Sequence, residues 1–214
     1  MTEIRHFAPA EIEAESFRII TEELGDRAID PALAPILKRV IHTTADFDYA
    51  DNLYFSDNAV QLALNALKGG AAIVTDTQMA LAGISKRTAA RFGCETACFM
   101  SDPDVAEQAK MEGVTRACVS MDKARTLGEN VIFAIGNAPT ALIRLREHID
   151  AGYRPKLIIG VPVGFVNVVP SKELIVESPV PCIVARGRKG GSNVAAAIVN
   201  ALLYELDTTR GGTR

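Results

Sequence analysis

The run Lys38-Arg39-Val40-Ile41-His42-Thr43-Thr44-Ala45-Asp46-Phe47-Asp48-Tyr49 sets one of only three histidines among cations, hydroxyls and carboxylates, where a predicted helix ends. An imidazole titrates near neutrality, so it can give or take a proton where neighbouring cations only hold charge. His42 is therefore the candidate general acid. A histidine at a helix C-terminus is also favoured by the macrodipole and the unpaired carbonyls there, and spacing alone leaves both readings open. Asp46 or Asp48 could orient the imidazole, or belong to a solvated loop. His6 falls in a terminus read as frayed, and His148 late in an arginine-bearing surface helix; both are poorer candidates.

Three further segments carry chemistry. Arg186-Gly187-Arg188-Lys189-Gly190-Gly191-Ser192-Asn193 has the ingredients of an anion-binding loop: glycines that expose backbone donors at a helix start, with cations adding charge. A tight turn with solvated cations would need the same residues. The loop lacks both the Gly-x-Gly-x-x-Gly fingerprint and the Lys-Ser/Thr ending of a P-loop. Ile135-Gly136-Asn137-Ala138-Pro139 reads as a strand end, a close turn and a helix start, whose free amides could receive a carboxylate. Val161-Pro162-Val163-Gly164-Phe165 puts a proline and a glycine at an apolar strand exit, through close approach of a flat ligand or through a bulge. Ser16, Ser56, Ser85 and Ser120 offer hydroxyls, but no Gly-x-Ser-x-Gly elbow places one for Ser-His-Asp hydrolysis.

The elements that must position these groups follow from periodicity. Ile12, Phe17, Ile20 and Leu24 predict a helix from Pro9 to Leu24, stopped by Gly25. A second helix follows Asp30-Pro31, with Leu33, Ile36, Leu37, Val40 and Ile41 as its apolar stripe and His42 at its end. A third runs from Ser56 or Asp57 to Lys68. Strands are then expected at Ala71–Thr75, Glu95–Met100, Arg116–Ser120, Val131–Ile135, Leu157–Val161 and Ile183–Ala185. Helices are expected near Lys86–Phe92, Pro103–Glu112, Pro139–Ala151, Lys172–Val176 and Asn193–Leu206. The alternation predicts an α/β three-layer sandwich with a mostly parallel, flavodoxin-like sheet and the N-terminal helices as an added layer, in one domain over residues 1–214. Ligands of such sheets bind beyond the carboxyl ends of the strands. One rim could collect Thr75 to Thr77, Ser101-Asp102, Ser120 to Asp122, Gly136 to Ala138, Gly164-Phe165 and Arg186 to Ser192.

Composition narrows the class. A net charge of −3 and 48% hydrophobic residues suit a compact globular protein and argue against a polynucleotide partner. No apolar run approaches the ~20 residues of a spanning helix and no secretory leader is evident, so no membrane partner and a cytoplasmic location are expected. Cys94, Cys98, Cys118 and Cys182 fall in segments read as strands and form no Cys-x-x-Cys pair. They read as buried free thiols, and no metal is assigned.

Glu13-Ala14-Glu15-Ser16-Phe17, Lys38 to Asp46, Val74-Thr75-Asp76-Thr77-Gln78-Met79, Gly136-Asn137-Ala138-Pro139-Thr140-Ala141-Leu142, Gly160 to Val166 and Arg186 to Ser192, taken in order over nearly the full chain, resemble the precorrin-8X methylmutase family. That family includes enzymes acting on cobalt-precorrin-8. The resemblance implies an isomerase of vitamin B12 synthesis that moves a methyl group from C-11 to C-12 of the macrocycle, giving hydrogenobyrinate or its cobalt equivalent. It implies no cofactor and no methyl donor. It casts His42 as the proton donor and acceptor, and Ser16 and Arg39 as substrate-binding residues. Thr43, Thr75, Arg116, Asn137, Gly164, Arg186, Gly190 and Ser192 join them from predicted strand ends and resemblance together. It further implies a homodimer with pockets near the subunit interface, and handover of the product to the next enzyme. A noncatalytic tetrapyrrole carrier, with His42 as anchor, is the alternative. A flavin or nucleotide protein is disfavoured by the missing fingerprints.

Overall fold

The computed structural model describes residues 6–207. Its first elements are α1 (Pro9–Leu24), α2 (Ala34–Thr44), the single turn α3 (Tyr49–Asn52), the short strand β1 (Leu53–Phe55) and α4 (Ala59–Lys68). Next come β2 (Ala72–Thr75), α5 (Gln78–Gly83), α6 (Lys86–Arg91) and β3 (Thr96–Ala97). A 3-10 turn over Phe99–Ser101, α7 (Pro103–Glu112) and α8 (Arg116–Arg125) lead into β4 (Val131–Ile135). α9 (Pro139–Asp150), β5 (Leu157–Gly160), α10 (Val168–Val176), β6 (Cys182–Ala185) and α11 (Ser192–Leu206) follow.

The strands form one sheet in the order β1-β6-β5-β4-β2-β3, in which every pair is parallel except β1 with β6. Among the parallel strands the chain steps from β2 outward to β3, then crosses back over β2 to β4. The connections therefore diverge between β2 and β4, and the place where ligands of such sheets bind lies beyond their carboxyl ends. β4 is buried along its whole length. Its alternate residues serve two cores: Ile132 and Ala134 pack with side chains of α2, α4 and α11, while Val131, Phe133 and Ile135 pack with α8, α9 and α10. The sheet is thus the middle of three layers, and α1 lies outside the first helical layer against α2.

Several expectations need correction. Arg116–Ser120 is the start of α8 and not a strand: Thr115 caps the helix by accepting from the Cys118 N–H, and Ala117, Met121 and Ala124 repeat at turn spacing on its buried side. Ser120 to Asp122 consequently lie within a helix, away from the rim. The expected strand Glu95–Met100 shrinks to Thr96–Ala97 at the sheet edge. Helix α5 was not anticipated; Thr77 caps it by accepting from the Ala80 N–H at 3.0 Å. α10 starts four residues before the expected Lys172, because Pro170 sits in its first turn, where a missing N–H costs no intrahelical bond. Of the four cysteines only Cys182 lies in a strand, and Cys118 is partly exposed on α8, whereas the other three are buried; all four are free.

Candidate active site

The junction beyond β2 and β4 is built around a buried carboxylate. Asp76, just past β2, accepts from the backbone N–H groups of Gly136 (2.8 Å), Asn137 (2.8 Å) and Ala138 (2.6 Å). The amides at the start of α9, expected to be free for a ligand carboxylate, are therefore filled by the chain's own. Burial pushes the Asp76 pKa up, and the three amides pull against it. Asn137 keeps only its exposed side chain for a ligand. Thr75 is also buried, and its hydroxyl donates to the Thr77 carbonyl at 3.0 Å.

Three strand exits converge on the turn that follows β6. A Cβ on Gly136 would lie 2.7 Å from Ser192 Cα, and one on Gly190 would run into the Val161 carbonyl, so only glycine lets these backbones meet. The Gly191 N–H donates to the Val161 carbonyl at 2.8 Å and the Gly164 N–H to the Arg188 carbonyl at 3.2 Å. Ser192 Oγ and Thr77 Oγ1 share a 2.8 Å hydrogen bond. Thr75, Asn137, Gly164, Arg186, Gly190 and Ser192 thus stand on or beside one rim. Arg116 is exposed at the start of α8, whose cap Thr115 bonds Thr140 in the first turn of α9 at 2.8 Å.

The cations of the turn point different ways. Lys189 Nζ reaches Asp46 (2.7 Å) and Asp48 (2.6 Å), just after the end of α2. Those carboxylates do not orient His42; they tie its helix end to the glycine turn, and the Lys189 hydrogen bond holds Asp46 below the usual carboxylate range. The Arg186 guanidinium lies 4.7 Å over the Tyr54 ring, and that of Arg188 lies 5.4 Å over Phe165. Phe165 is 82% exposed, Val166 80% and Met79, at the start of α5, 72%. The rim therefore offers apolar surface beside cations.

His42 stands exposed on the last turn of α2, stacked on Phe17 of α1 with ring centroids 5.3 Å apart. Ser16, next to Phe17, donates its hydroxyl hydrogen to the Ile12 carbonyl at 2.8 Å, and Thr43 donates to the Arg39 carbonyl at 2.9 Å. Arg39 is largely buried, paired with Glu13 and lying between the rings of Phe17 (4.7 Å) and Tyr204 (5.2 Å). It braces α1 onto α2 and α11. His148 belongs elsewhere. On α9 it is half-buried with Nε2 2.7 Å from Asp122, and burial lowers its pKa despite that neighbour.

Sequence reasoning missed three structural supports of this site. Asp76 appeared only as one polar residue on the rim, although an aspartate after a strand and a Gly-x-Ala-Pro turn after another are the two halves of the observed contact. Lys172 sits fully buried beneath the glycine turn, and nothing in its local sequence sets it apart from a surface helix lysine. The tie from Lys189 to Asp46 and Asp48 joins positions more than 140 residues apart.

Fold and rim together define an α/β protein that presents cations and apolar side chains at the carboxyl edge of its sheet, with an exposed histidine on the helix whose end is tied to that edge. The chain belongs to the precorrin-8X methylmutase family, whose model matches residues 11–205. It is 50% identical over 204 residues to the cobalt-precorrin-8 methylmutase of Salmonella typhimurium, covering 92% of this chain and 96% of that one. It is 40% identical to the precorrin-8X methylmutase of Pseudomonas aeruginosa, covering 90% and 94%. The crystal structure of the precorrin-8X methylmutase from Thermus thermophilus superposes with a TM-score of 0.86 at 39% identity, over 93% of this chain and 98% of that one. Methylmutases are intramolecular transferases, a class of isomerase. Among the described residues no helix is long and apolar enough to cross a membrane.

Proposed function

We propose that this protein moves the methyl group at C-11 of precorrin-8X, or of cobalt-precorrin-8, to C-12, giving hydrogenobyrinate or cobyrinate in cobalamin biosynthesis. The carbon–carbon bond at C-11 breaks as the bond at C-12 forms, so substrate and product are isomers of equal mass. The observation that carries this reading is the exposed imidazole of His42 on the last turn of a helix whose end Asp46, Asp48 and Lys189 tie to the glycine turn after β6. His42 lends a proton to the conjugated ring, draws electron density from it and takes the proton back after migration. Arg186 and Arg188 suit the carboxylate side chains of the macrocycle. Phe165, Val166 and Met79 suit its flat apolar face.

Ser16, Thr43 and Arg116 are placed in the same reading as flanking donors. Arg39 takes a substrate carboxylate only by sharing or leaving Glu13, which makes it the residue whose role is tied most closely to the position of α1. The five parallel strands, in the order 2-1-3-4-5 when counted alone, support the flavodoxin-like description. A homodimer in the cytoplasm, passing its product to the next enzyme, completes the proposal; the exposed apolar rim is the feature that supports a subunit or macrocycle contact.

The test is anaerobic incubation of the purified protein with precorrin-8X and, separately, with cobalt-precorrin-8, followed by visible spectrum and product mass. An isomer of unchanged mass with a corrin spectrum is expected, and the faster substrate identifies the physiological form. Binding of both compounds without conversion would make the protein a carrier and remove His42 from catalysis.

A further inference from the structure

Among the described residues Lys172 is the one lysine whose side chain is fully buried, on the second turn of α10. A lysine is almost never buried without a partner that repays its desolvation. Its Nζ donates to the Gly187 carbonyl at 2.9 Å and to the Lys189 carbonyl at 2.8 Å. Among the described residues no carboxylate lies within ion-pair distance of it. Glu173, the nearest acid in sequence, faces Arg186 instead, at 3.8 Å.

Those two carbonyls flank Arg188, and the Arg188 carbonyl between them accepts from the Gly164 N–H. The backbone of residues 187–189 is thus fastened from below by an ammonium and from the side by the β5 exit. Gly187 has φ +77°, a left-handed conformation that a side chain would strain, and the carbonyls on either side of Arg188 meet at one ammonium. A buried point charge that gathers two carbonyls fixes which way the intervening side chain leaves the backbone. Here that side chain is Arg188, and the next is Lys189, which holds Asp46 and Asp48.

We infer that Lys172 is a positioning residue of the active site: its buried ammonium sets the 187–189 backbone, and through it the direction of Arg188 and the tie from Lys189 to the end of α2. It touches no substrate. The charge matters as well as the shape, because an ammonium makes charge-assisted hydrogen bonds to carbonyls that a neutral side chain of equal length does not. Burial pushes its pKa down to about 8, with Glu173 pulling the other way, so the charge is held at neutral pH against its surroundings. The inference rests on the reading that the glycine turn grips substrate carboxylates.

The experiment compares Lys172→Met, which keeps most of the side chain's length and removes both hydrogen bonds, with Arg188→Ala, which leaves the turn in place and removes one cation. The first readout is limited trypsin digestion without ligand, since Arg186, Arg188 and Lys189 are all trypsin sites. Lys172→Met is expected to be cut there at least tenfold faster than the wild type, with the remaining digestion pattern and the circular dichroism unchanged. The second readout is steady-state turnover of precorrin-8X, in which KM should rise about tenfold and kcat fall by a smaller factor. Wild-type cleavage and wild-type KM in Lys172→Met would overturn the inference. An unchanged KM in Arg188→Ala would instead remove the carboxylate-gripping reading, whatever Lys172→Met does. Should Lys172→Met fail to fold, Lys172→Gln, which keeps N–H donors but carries no charge, serves for both readouts: faster cleavage at 186–189 is the supporting result, and wild-type behaviour the overturning one.

Discussion

In the proposed reaction His42 carries chemistry, whereas Asp76 carries architecture. His42 is exposed and its ring stacks on a single neighbour, so His42→Ala should leave the fold intact and corrinoid affinity within a few-fold, while kcat falls roughly 10²–10⁴-fold, the usual worth of a general acid. Single-turnover kinetics with product binding measured in parallel check this, and full activity in the variant would end the assignment. Asp76 has the opposite profile. Its two oxygens, fully buried, collect three amides, and an amide side chain can accept on only one side. Asp76→Asn should therefore lose on the order of 3 kcal/mol, because an NH2 group is turned toward N–H donors and buried donors go unpaired. Urea unfolding gives the value, and a variant as stable as the wild type would show that the three amides find other partners.

Elements carry the coupling between these residues. α1 is fastened to α2 by Phe17 stacked on His42 and by Arg39 enclosed between Glu13 and two rings. If Arg39 also receives a substrate carboxylate, Arg39→Met should raise KM about tenfold, the loss of one charge-assisted hydrogen bond, and should leave α1 open to proteolysis. An unchanged KM with a loosened α1 would make Arg39 a brace alone. α10 carries a pH signature. The Lys172 pKa of about 8 lies below the unfolded value of about 10.4. Below pH 8 both states carry the proton and the burial penalty is paid in full. Between pH 8 and about 10 the unfolded chain binds more protons than the folded one, so stability rises with pH there. The unfolding free energy of the wild type relative to Lys172→Met should shift in favour of the wild type from pH 8 to pH 10, and a flat difference would show that the ammonium is not desolvated.

At the level of the whole molecule, the sheet is shared by two cores, so a central side chain supports both layers indirectly. Phe133, fully buried on β4, packs against the helices opposite the His42 side. Phe133→Ala should cost about 3–5 kcal/mol with the catalytic constants of the surviving folded fraction little changed. Thermal unfolding and active-site titration separate the two effects. The exposed rim of Phe165, Val166 and Met79 sets the assembly question. Sedimentation of an active species at twice the chain mass is expected, and an active monomer would remove the shared-site idea.

Local sequence sufficed where local physics governs. The stripe from Leu33 to Ile41 dictated α2 and put His42 at its end, and the β-rich runs of β2, β4, β5 and β6 read plainly because strands buried on both faces must be apolar throughout. The order of the rim motifs along the chain was enough to indicate the family. It was less able to separate a helix from a strand over Arg116–Ser120, where a valine and a cysteine carry strand propensity and the deciding cap at Thr115 is a single hydroxyl. Only the tertiary structure could seat Asp76 on the α9 amides, turn Asp46 and Asp48 away from His42 toward Lys189, and bury Lys172 beneath Gly187 and Lys189. Each of these pairs groups that are far apart in sequence, and their value depends on distance and desolvation, quantities that exist only once the chain has closed upon itself.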